Sequence, residues 1–172
     1  MKTVKNVALF LGLLFLSANL SAQTQKDIVD VTAESKEHTT LVAALKAADL
    51  VATLKGKGPF TVFAPTNGAF SKLPDGTVDS LLMSENQSQL AGILTYHVVA
   101  GNLNANAVLA AIKKGGGKAV LTTVAGGKLT ASLIREEVTL TDEKGGMATV
   151  TATDLKASNG VIHVIDTVLM PK

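Results

Sequence analysis

The stretch from Pro59 to Phe70, PFTVFAPTNGAF, constrains the fold more than any other part of this sequence. It begins with an apolar run, residues 60–64, in which alternate positions on both faces are apolar or small. That pattern is typical of a central strand covered on both sides. Pro65 cannot donate to a sheet ladder, so we expect the strand to end there. Thr66 and Asn67 carry oxygens that can cap a following helix. The stretch therefore predicts a strand–turn–helix corner.

Aromatic side chains are concentrated at this corner. Phe60, Phe63 and Phe70 lie within it, and Tyr96 lies in the next apolar segment. Because aromatic side chains bury large areas and dominate core energetics, we expect Phe63 and Phe70 to be core residues. The corner is thus predicted to form the centre of the core.

The first 22 residues have the order of a secretory signal peptide. Lys2 and Lys5 precede an apolar run at residues 7–16, and small and polar residues then lead to Ala22. The run is too short to span a membrane comfortably as an anchor. We therefore predict cleavage after Ala22, a single domain over residues 23–172, and a secreted or periplasmic protein with no stable membrane anchor.

Charge and cysteine content narrow the class of protein. The chain has 16 basic and 14 acidic residues, and removing Lys2 and Lys5 makes the remainder formally neutral. A neutral domain lacks the basic footprint of nucleic-acid binding, so nucleic acid is not an expected partner. The chain has no cysteine. An exported domain of this kind must be held together by its core, because it has no disulfides.

Helical patterns dominate the early part of the chain and strand patterns the late part. Predicted capping residues are Asp27, Thr39 or Thr40, Thr77, Asn86, and Asn104 or Asn106. From residue 119 onward strand patterns are separated by turns, and residues 119–124 alternate apolar and polar positions. Gly126-Gly127 predicts a two-residue hairpin turn, and Asn159-Gly160 predicts a type I′ hairpin. Early helices followed by consecutive antiparallel strands favour an α+β fold.

Three segments together resemble a known family, the fasciclin-like domains. They are PFTVFAPTNGAF at Pro59–Phe70, LTYHVVAG at Leu94–Gly101 and SNGVIHVIDTVLMP at Ser158–Pro171. The resemblance runs from about Asp27 to Pro171. It implies a fasciclin-like fold, in which N-terminal helices pack on a mostly antiparallel β-sheet wedge. It also implies a non-enzymatic adhesion or interaction module that binds a protein or glycan at a cell surface or matrix.

The sequence carries no recognisable catalytic or metal-binding pattern. His38, His97 and His163 lie far apart, and none belongs to a spaced metal motif. We predict no enzyme activity, no metal and no cofactor. His97 and His163 sit among apolar residues, where an unpaired imidazole would cost about 1–3 kcal/mol. Both are therefore interpreted as hydrogen-bonded within the fold.

The resemblance gives the Tyr96-His97 pair a second interpretation. The corresponding Tyr-His segment of animal members is implicated in integrin-dependent adhesion, so Tyr96 and His97 are candidate binding residues. Their apolar neighbours favour a structural role instead, and both interpretations stay open. The residues that the resemblance and the local pattern assign to structure are Phe63, Pro65, Thr66, Asn67, Phe70, Asn159, Gly160 and His163.

Two sources of binding are consistent with the sequence. In the first, a monomeric scaffold presents exposed loops, with Gly115–Lys118 and the turn at Pro74–Gly76 as candidates. In the alternative, the chain is an exported binding protein for a small apolar ligand held between helices and sheet. That alternative requires a cavity of several hundred cubic ångströms lined by Leu and Val.

Overall fold

The structure is a computed structural model that describes residues 25–172. The predicted signal peptide, residues 1–22, lies outside the described residues. Its cleavage and the domain boundary at residue 23 therefore stay predictions.

Helices occupy most of the first half of the described chain, and strands most of the second half. The helices are α1 (Ile28–Glu34), α2 (Thr39–Ala47), α3 (Val51–Leu54), α4 (Asn67–Ser71), α5 (Thr77–Leu81), α6 (Gln87–Tyr96) and α7 (Ala105–Lys114), with 3₁₀ turns at Lys36–His38 and Ser84–Asn86. The strands are β1 (Phe60–Pro65), β2 (Val98–Ala100), β3 (Lys118–Thr122), β4 (Lys128–Ile134), β5 (Glu137–Thr141), β6 (Met147–Ala157) and β7 (Gly160–Ile165). The predicted α+β class is confirmed.

The strands form one sheet in the order β2-β1-β7-β6-β5-β4-β3. Every neighbouring pair is antiparallel except β1 and β7, which run parallel with Phe63 opposite His163. Strand β1 lies between β2 and β7, so the prediction of a central strand at residues 60–64 is confirmed. It ends at Pro65, as expected.

The sheet curls until its two edge strands touch. Val99 of β2 forms an isolated bridge with Thr123, and the Val124 amide donates to the Val98 carbonyl at 2.7 Å. On the other side of the sheet, the register of β6 against β7 shifts around Ala152. Shifts of this kind bend a strand. The sheet is therefore strongly curled, and it is mostly antiparallel, as the family resemblance implied.

Two apolar cores lie on opposite faces of the central strands. The helix-side core is built from Ile28, Val29, Leu41, Ala44, Leu45, Ala48, Leu54, Val62, Ala64, Ala69, Phe70, Leu81, Leu90, Ile93, Leu94, Val98, Ile162 and Val168. The strand-side core is built from Phe63, Tyr96, Val99, Val108, Ile112, Ala119, Leu121, Leu129, Ala131, Leu140, Ala148, Ile165 and Leu169. Because side chains alternate along a strand, β1 and β7 contribute to both cores.

Three of the predicted helix caps are confirmed. Asp27 forms a capping box with Asp30, Thr66 accepts from the Ala69 amide, and Asn104 accepts from the Ala107 amide. Each of these three helices therefore begins at the capping side chain that the sequence predicted.

The other predicted caps are wrong, because their helices begin without a side-chain cap of their own. The residue before α2 is His38, not Thr39 or Thr40. Helix α5 follows Gly76, whose φ is 79°, instead of being capped by Thr77. The Asn86 side chain makes no capping bond and instead donates to the Ser80 carbonyl.

Two predicted turns are displaced. The β3–β4 connection is longer than a Gly126-Gly127 turn, because the Thr123 amide donates to the Gly127 carbonyl. The β6–β7 hairpin is confirmed, but Ala157 pairs with Gly160. Its turn is therefore residues 158–159, and neither residue has the positive φ that type I′ requires. Consecutive positive φ values occur instead at Arg135 and Glu136, 52° and 70°, between β4 and β5.

Candidate functional site

Tyr96 ends α6 with its side chain fully enclosed. Its exposed fraction is 0%, and its hydroxyl donates to the Lys128 carbonyl at 2.7 Å while accepting from the Glu143 amide at 3.2 Å. Burial raises the pKa of this hydroxyl. The ring also lies against Gly127, where an added Cβ would sit 2.6 Å from it. Tyr96 thereby fastens α6 to the β3–β4 and β5–β6 connections.

His97 follows Tyr96 but points to a different part of the molecule. It is 2% exposed, and its Nδ1 lies 2.8 Å from the Ile93 carbonyl, to which only an N–H can donate. Nε2 therefore carries no proton and accepts from the Leu169 amide at 3.0 Å. Burial lowers the pKa of His97 to about 4. The assignment of Tyr96 and His97 to partner binding stays a prediction; as folded, neither side chain reaches the surface.

His163 and Phe63 lie side by side on the strand-side face of β1 and β7. Their rings are stacked with centroids 5.5 Å apart and planes 26° from parallel. His163 donates from Nε2 to the Leu103 carbonyl at 2.7 Å, and its Nδ1 accepts from the Asp154 amide at 3.4 Å. The histidine therefore connects the segment after β2 with the middle of β6.

The corner after β1 has the residues that the sequence assigned to structure. Pro65 and Phe70 are buried, and the Thr66 amide donates to the Ile165 carbonyl. The Asn67 side chain accepts from the Thr40 amide at 3.0 Å and donates to the Lys36 carbonyl at 2.9 Å. Asn67 thus supplies the N-terminal contact that α2 lacks from its own sequence.

Asn159 and Gly160 join the hairpin to the helices. The Asn159 side chain accepts from the Ile28 amide at 3.0 Å and donates to the Leu54 and Gly56 carbonyls at 2.6 and 3.0 Å. Gly160 lies so close to β1 that an added Cβ would overlap the Phe60 carbonyl oxygen. Close backbone approach, not a turn with positive φ, explains glycine at this position.

A polar groove lies beside this hairpin. It consists of two adjoining cavities of about 500 and 530 Å³, which share Asn102, Ala157 and Gly160. The first is lined also by Lys55, Gly56, Lys57, Gly58, Pro59, Ser158 and Asn159, and the second also by Asn104, Asn106, Asp154, Lys156 and Val161. We refer to these residues together as the polar groove.

Several side chains of the polar groove are not engaged by the fold. Asn102 and Asn106 are exposed, and the side-chain hydrogen bonds found within residues 25–172 do not involve their amides. Ion pairs in that part of the chain use Lys26, Lys55 and Lys72, whereas Lys57 and Lys156 stay unpaired. An amide offers both donors and an acceptor, and a lysine offers three donors. These groups are available to a ligand.

Lys55 differs from the other two groove lysines because it is part of the scaffold. Its Nζ lies 2.7 Å from Asp30 and 2.9 Å from Asp27, at the start of α1. The hydrogen bond that Lys55 donates to Asp30, followed by the one that it donates to Asp27, raises the pKa of Lys55. Its charge is therefore balanced within the fold.

Asp154 fixes the opposite wall of the groove. Its φ of 60° lies in the left-handed region, which aspartate tolerates better than most residues, at a shift in the β6–β7 register. Its carboxylate accepts from the Ala105 amide at 2.8 Å, and its own amide donates to His163. Through Leu103 and Asp154, the buried His163 holds both walls at a set separation.

The described apolar cavities are much smaller than the groove. One, lined by Phe63, Val108 and His163 among others, holds about 10 Å³, and another beside Phe60 and Val98 holds about 20 Å³. Each has room for about one water molecule. Neither is large enough, as folded, for the small apolar ligand of the alternative prediction.

The polar groove was missed by the sequence analysis. Its signal was the alternation NLNAN at residues 102–106, which we interpreted only as a choice of helix cap. Nothing local indicated that Lys156 and Asp154 would face it, since that depends on an irregular strand. The Gly115–Lys118 loop and the Pro74–Gly76 turn are exposed, as predicted, and their role in binding stays a prediction.

Comparison with known proteins decides the family. A fasciclin domain model matches residues 36–171. This chain belongs to the fasciclin family. The match includes Tyr96, His97, the corner and the hairpin, so the resemblance that these segments carried is confirmed.

The relatives of this fasciclin domain include bacterial proteins. Protein sll1483 of Synechocystis sp. is 50% identical over 144 residues, which cover 84% of this chain and 73% of that protein. Immunogenic protein MPB70 of Mycobacterium bovis is 37% identical over 159 residues, which cover 90% of this chain and 74% of that protein. Both alignments span most of each chain.

A solved structure has the same fold. It is a FAS1 domain pair from the insect cell adhesion molecule Fasciclin I, with a TM-score of 0.60 and 22% identity over 76% of this chain and 43% of that one. Within residues 25–172 of the fasciclin chain, no helix combines the length and hydrophobicity needed to cross a bilayer. The same residues contain no cluster of three or more potential metal ligands.

Proposed function

We propose that this fasciclin domain is a secreted or periplasmic, non-enzymatic adhesion module that binds a protein or glycan at a cell surface or matrix through the polar groove. The observation that carries the proposal is the set of groove side chains left free by the fold, Asn102, Asn106, Lys57 and Lys156. The two adjoining cavities give these side chains a concave surface on which a ligand can lie. The fasciclin fold of an insect cell adhesion molecule supports the adhesive role by analogy.

A binding role fits these residues better than catalysis does. His97 and His163 each use both ring nitrogens on backbone groups, so neither is free to act as a general base. The groove carboxylate, Asp154, already accepts from the Ala105 amide. The polar groups that remain can hold a ligand but do not form a nucleophile–base pair.

The test is an adhesion assay with protein recovered after export of the full chain. The protein is immobilised and scored for retention of cells, matrix proteins and polysaccharides. We expect retention, and we expect the Asn102→Ala/Asn106→Ala variant to lose it because the free amides are removed. The control variant, Asp75→Ala/Lys118→Ala, changes the two exposed loops and should retain the partner.

Two results would contradict the proposal. A correctly folded protein that retains none of the three classes of partner would not be an adhesion module. A control variant that loses retention, while the groove variant keeps it, would move the contact to the exposed loops.

A further inference from the structure

The charges and hydrogen-bonding groups of the polar groove specify a class of ligand. We propose that the groove binds an acidic oligosaccharide, with the amides of Asn102 and Asn106 on sugar hydroxyls and the ammonium groups of Lys57 and Lys156 on sugar carboxylates or sulfates. This inference rests on the adhesive function proposed above and narrows its partner to one chemistry.

The free amides favour a hydroxyl-rich ligand. A sugar hydroxyl both donates and accepts, and an asparagine amide presents a donor and an acceptor in one plane. Asn102 lies where the two cavities join, and Asn106 lines the second cavity. The two amides are thus placed to contact a ligand that extends across the junction.

The free charges favour acidic groups on that ligand. Lys57 lines the first cavity and Lys156 the second, so each half of the groove has one unpaired ammonium group. Asp154 is the carboxylate of the second cavity, and its Oδ1 faces the Ala105 amide. Two unpaired lysines and one aspartate give the groove a net positive charge. This charge is distributed along the groove, so it complements a chain with repeated acidic sugars.

A protein partner fits the same groove less well. Peptides are usually anchored by large apolar side chains in pockets, whereas the apolar lining residues here are only Pro59, Ala157 and Val161. A peptide could instead add a strand to the part of β6 after Thr149, where β5 no longer pairs with it. The register shift at Asp154 opposes this, because bulges interrupt the regular ladder that an added strand needs.

The test measures binding of three defined probes to the exported protein by titration calorimetry: hexagalacturonate, the neutral maltohexaose, and hexaglutamate as an acidic peptide. We expect binding of hexagalacturonate alone, weakening as NaCl rises from about 0.05 to about 0.3 M because the contacts are charged. The Lys57→Gln/Lys156→Gln variant should weaken it by about tenfold or more, since loss of a single charged hydrogen bond has an effect of that size.

A matched variant separates the groove from overall charge. Lys113→Gln/Lys144→Gln removes the same charge from exposed lysines outside the groove and should change affinity less than about twofold. All four positions are exposed, so both variants should melt at the temperature of the parent protein. Equal weakening by the two variants would overturn the site.

The remaining outcomes separate this inference from the proposed function. Equal binding of maltohexaose, or binding of hexaglutamate as tight as that of hexagalacturonate, would overturn the acidic oligosaccharide. Retention of cells or matrix protein through the groove with no binding of hexagalacturonate would overturn this inference and leave the adhesive function standing. In the opposite outcome, the protein binds hexagalacturonate through the groove and yet, when immobilised, retains neither cells nor matrix proteins. That result would support the oligosaccharide site and overturn the adhesive function.

Discussion

At the scale of single residues, the protonation of His97 determines how the C-terminal segment is held. Its neutral ring accepts from the Leu169 amide, and the Asp142 carboxylate accepts from the next amide, that of Met170, at 2.9 Å. A proton added to Nε2 would face the Leu169 N–H and break that hydrogen bond. Burial is the largest cause of the low pKa of His97, because it disfavours the charged ring.

The buried histidine should make the protein less stable in mild acid. The pKa of His97 is about 4 in the folded protein against an ordinary 6.5, so between these values the unfolded chain binds a proton that the folded chain does not. The neutral His97 ring therefore makes its full contribution to the free energy of unfolding above about pH 6.5, and this contribution is lost as the pH falls toward about 4. We expect a loss of about 2 kcal/mol between about pH 7.5 and about pH 5 in urea unfolding.

The variant His97→Gln provides the control for this pH dependence. It should be less stable at neutral pH, since the buried ring is lost, but its stability should change less with pH. Part of the slope should remain, because burial also lowers the pKa of His38. An unchanged slope in the variant would assign the acid sensitivity to other groups.

The sequence was informative about residues whose neighbours determine their surroundings. His97 and His163 lie between apolar residues, and this was enough to predict hydrogen bonds within the fold. The partners could not be predicted, because Leu169 and Leu103 offer backbone groups from segments remote in sequence. Asp154 was unpredictable for a similar reason: its positive φ arises from the mismatch of two strands.

At the scale of elements, the contact between β1 and β7 depends on a residue without a side chain. At Gly160 an added Cβ would overlap the Phe60 carbonyl oxygen and lie 2.9 Å from Ile28 Cδ1. The backbone of a central strand cannot move aside without disturbing both of its neighbours. The hairpin, the central strand and α1 are thus packed at one point.

Substitution of two glycines by alanine should have opposite effects. Gly160→Ala should lower the free energy of unfolding by at least about 2 kcal/mol through overpacking. Gly92→Ala, in the interior of α6 where an added Cβ meets nothing within 4 Å, should raise it by about 0.5–1 kcal/mol. Chemical denaturation of both variants measures these changes. An unchanged free energy of unfolding in Gly160→Ala would contradict the close packing of Gly160 against Phe60.

The Asn159 amide should be essential to the junction of hairpin and helices. Asn159→Asp keeps an acceptor for Ile28 but turns an oxygen toward the Leu54 and Gly56 carbonyls. We expect a loss of at least about 2 kcal/mol in thermal or urea unfolding, because two carbonyls lose their donor and face a negative charge.

The same substitution at an exposed asparagine supplies the comparison. Asn106→Asp lies in the first turn of α7, where a negative charge is tolerated, and should change stability by less than about 0.5 kcal/mol. Similar losses in the two variants would show that Asn159 has no special role.

Helices were predicted well where the capping side chain is adjacent to the helix in sequence. The caps at Asp27, Thr66 and Asn104 act within their own helices, and all three were visible in the sequence. Helix α2 was different, since its N-terminal contact comes from Asn67, on the far side of β1 in sequence. Local patterns cannot reveal a cap supplied by another element.

At the scale of the whole molecule, the central strands make the two cores interdependent. Val62 and Ala64 face the helix-side core, while Phe63 between them faces the strand-side core. Neither core can be dissolved without exposing one face of the same strand. The described domain should therefore unfold as one cooperative unit.

Cooperative unfolding can be followed with two natural probes. Tyr96 is the single tyrosine of a chain without tryptophan, and its fluorescence reports on the strand-side core, whereas far-ultraviolet circular dichroism reports mainly on the helices. We expect coincident transitions. Phe63→Ala should shift both together by about 3–5 kcal/mol, the usual cost of deleting a buried ring. Separate transitions would mean that the cores unfold independently.

The fold was predictable at this scale, but the groove was not. The local periodicity of the sequence predicted the order of helices and strands, and the three segments that resemble the fasciclin family predicted the architecture. The groove assembles from residues near 57, 104 and 156, and its chemistry lies in groups that the fold leaves free. Those groups can be recognised only after the hydrogen bonds of the fold are known.

The pairing of β1 with β7 also has a consequence for synthesis. Phe63 is translated a hundred residues before its neighbour His163, so β1 lacks one of its two neighbouring strands until β7 has been made. Long-range pairings of this kind slow folding. The delay means that the domain cannot reach its final shape until β7 has left the ribosome, so the apolar faces of β1 stay only partly covered while the intervening hundred residues are made.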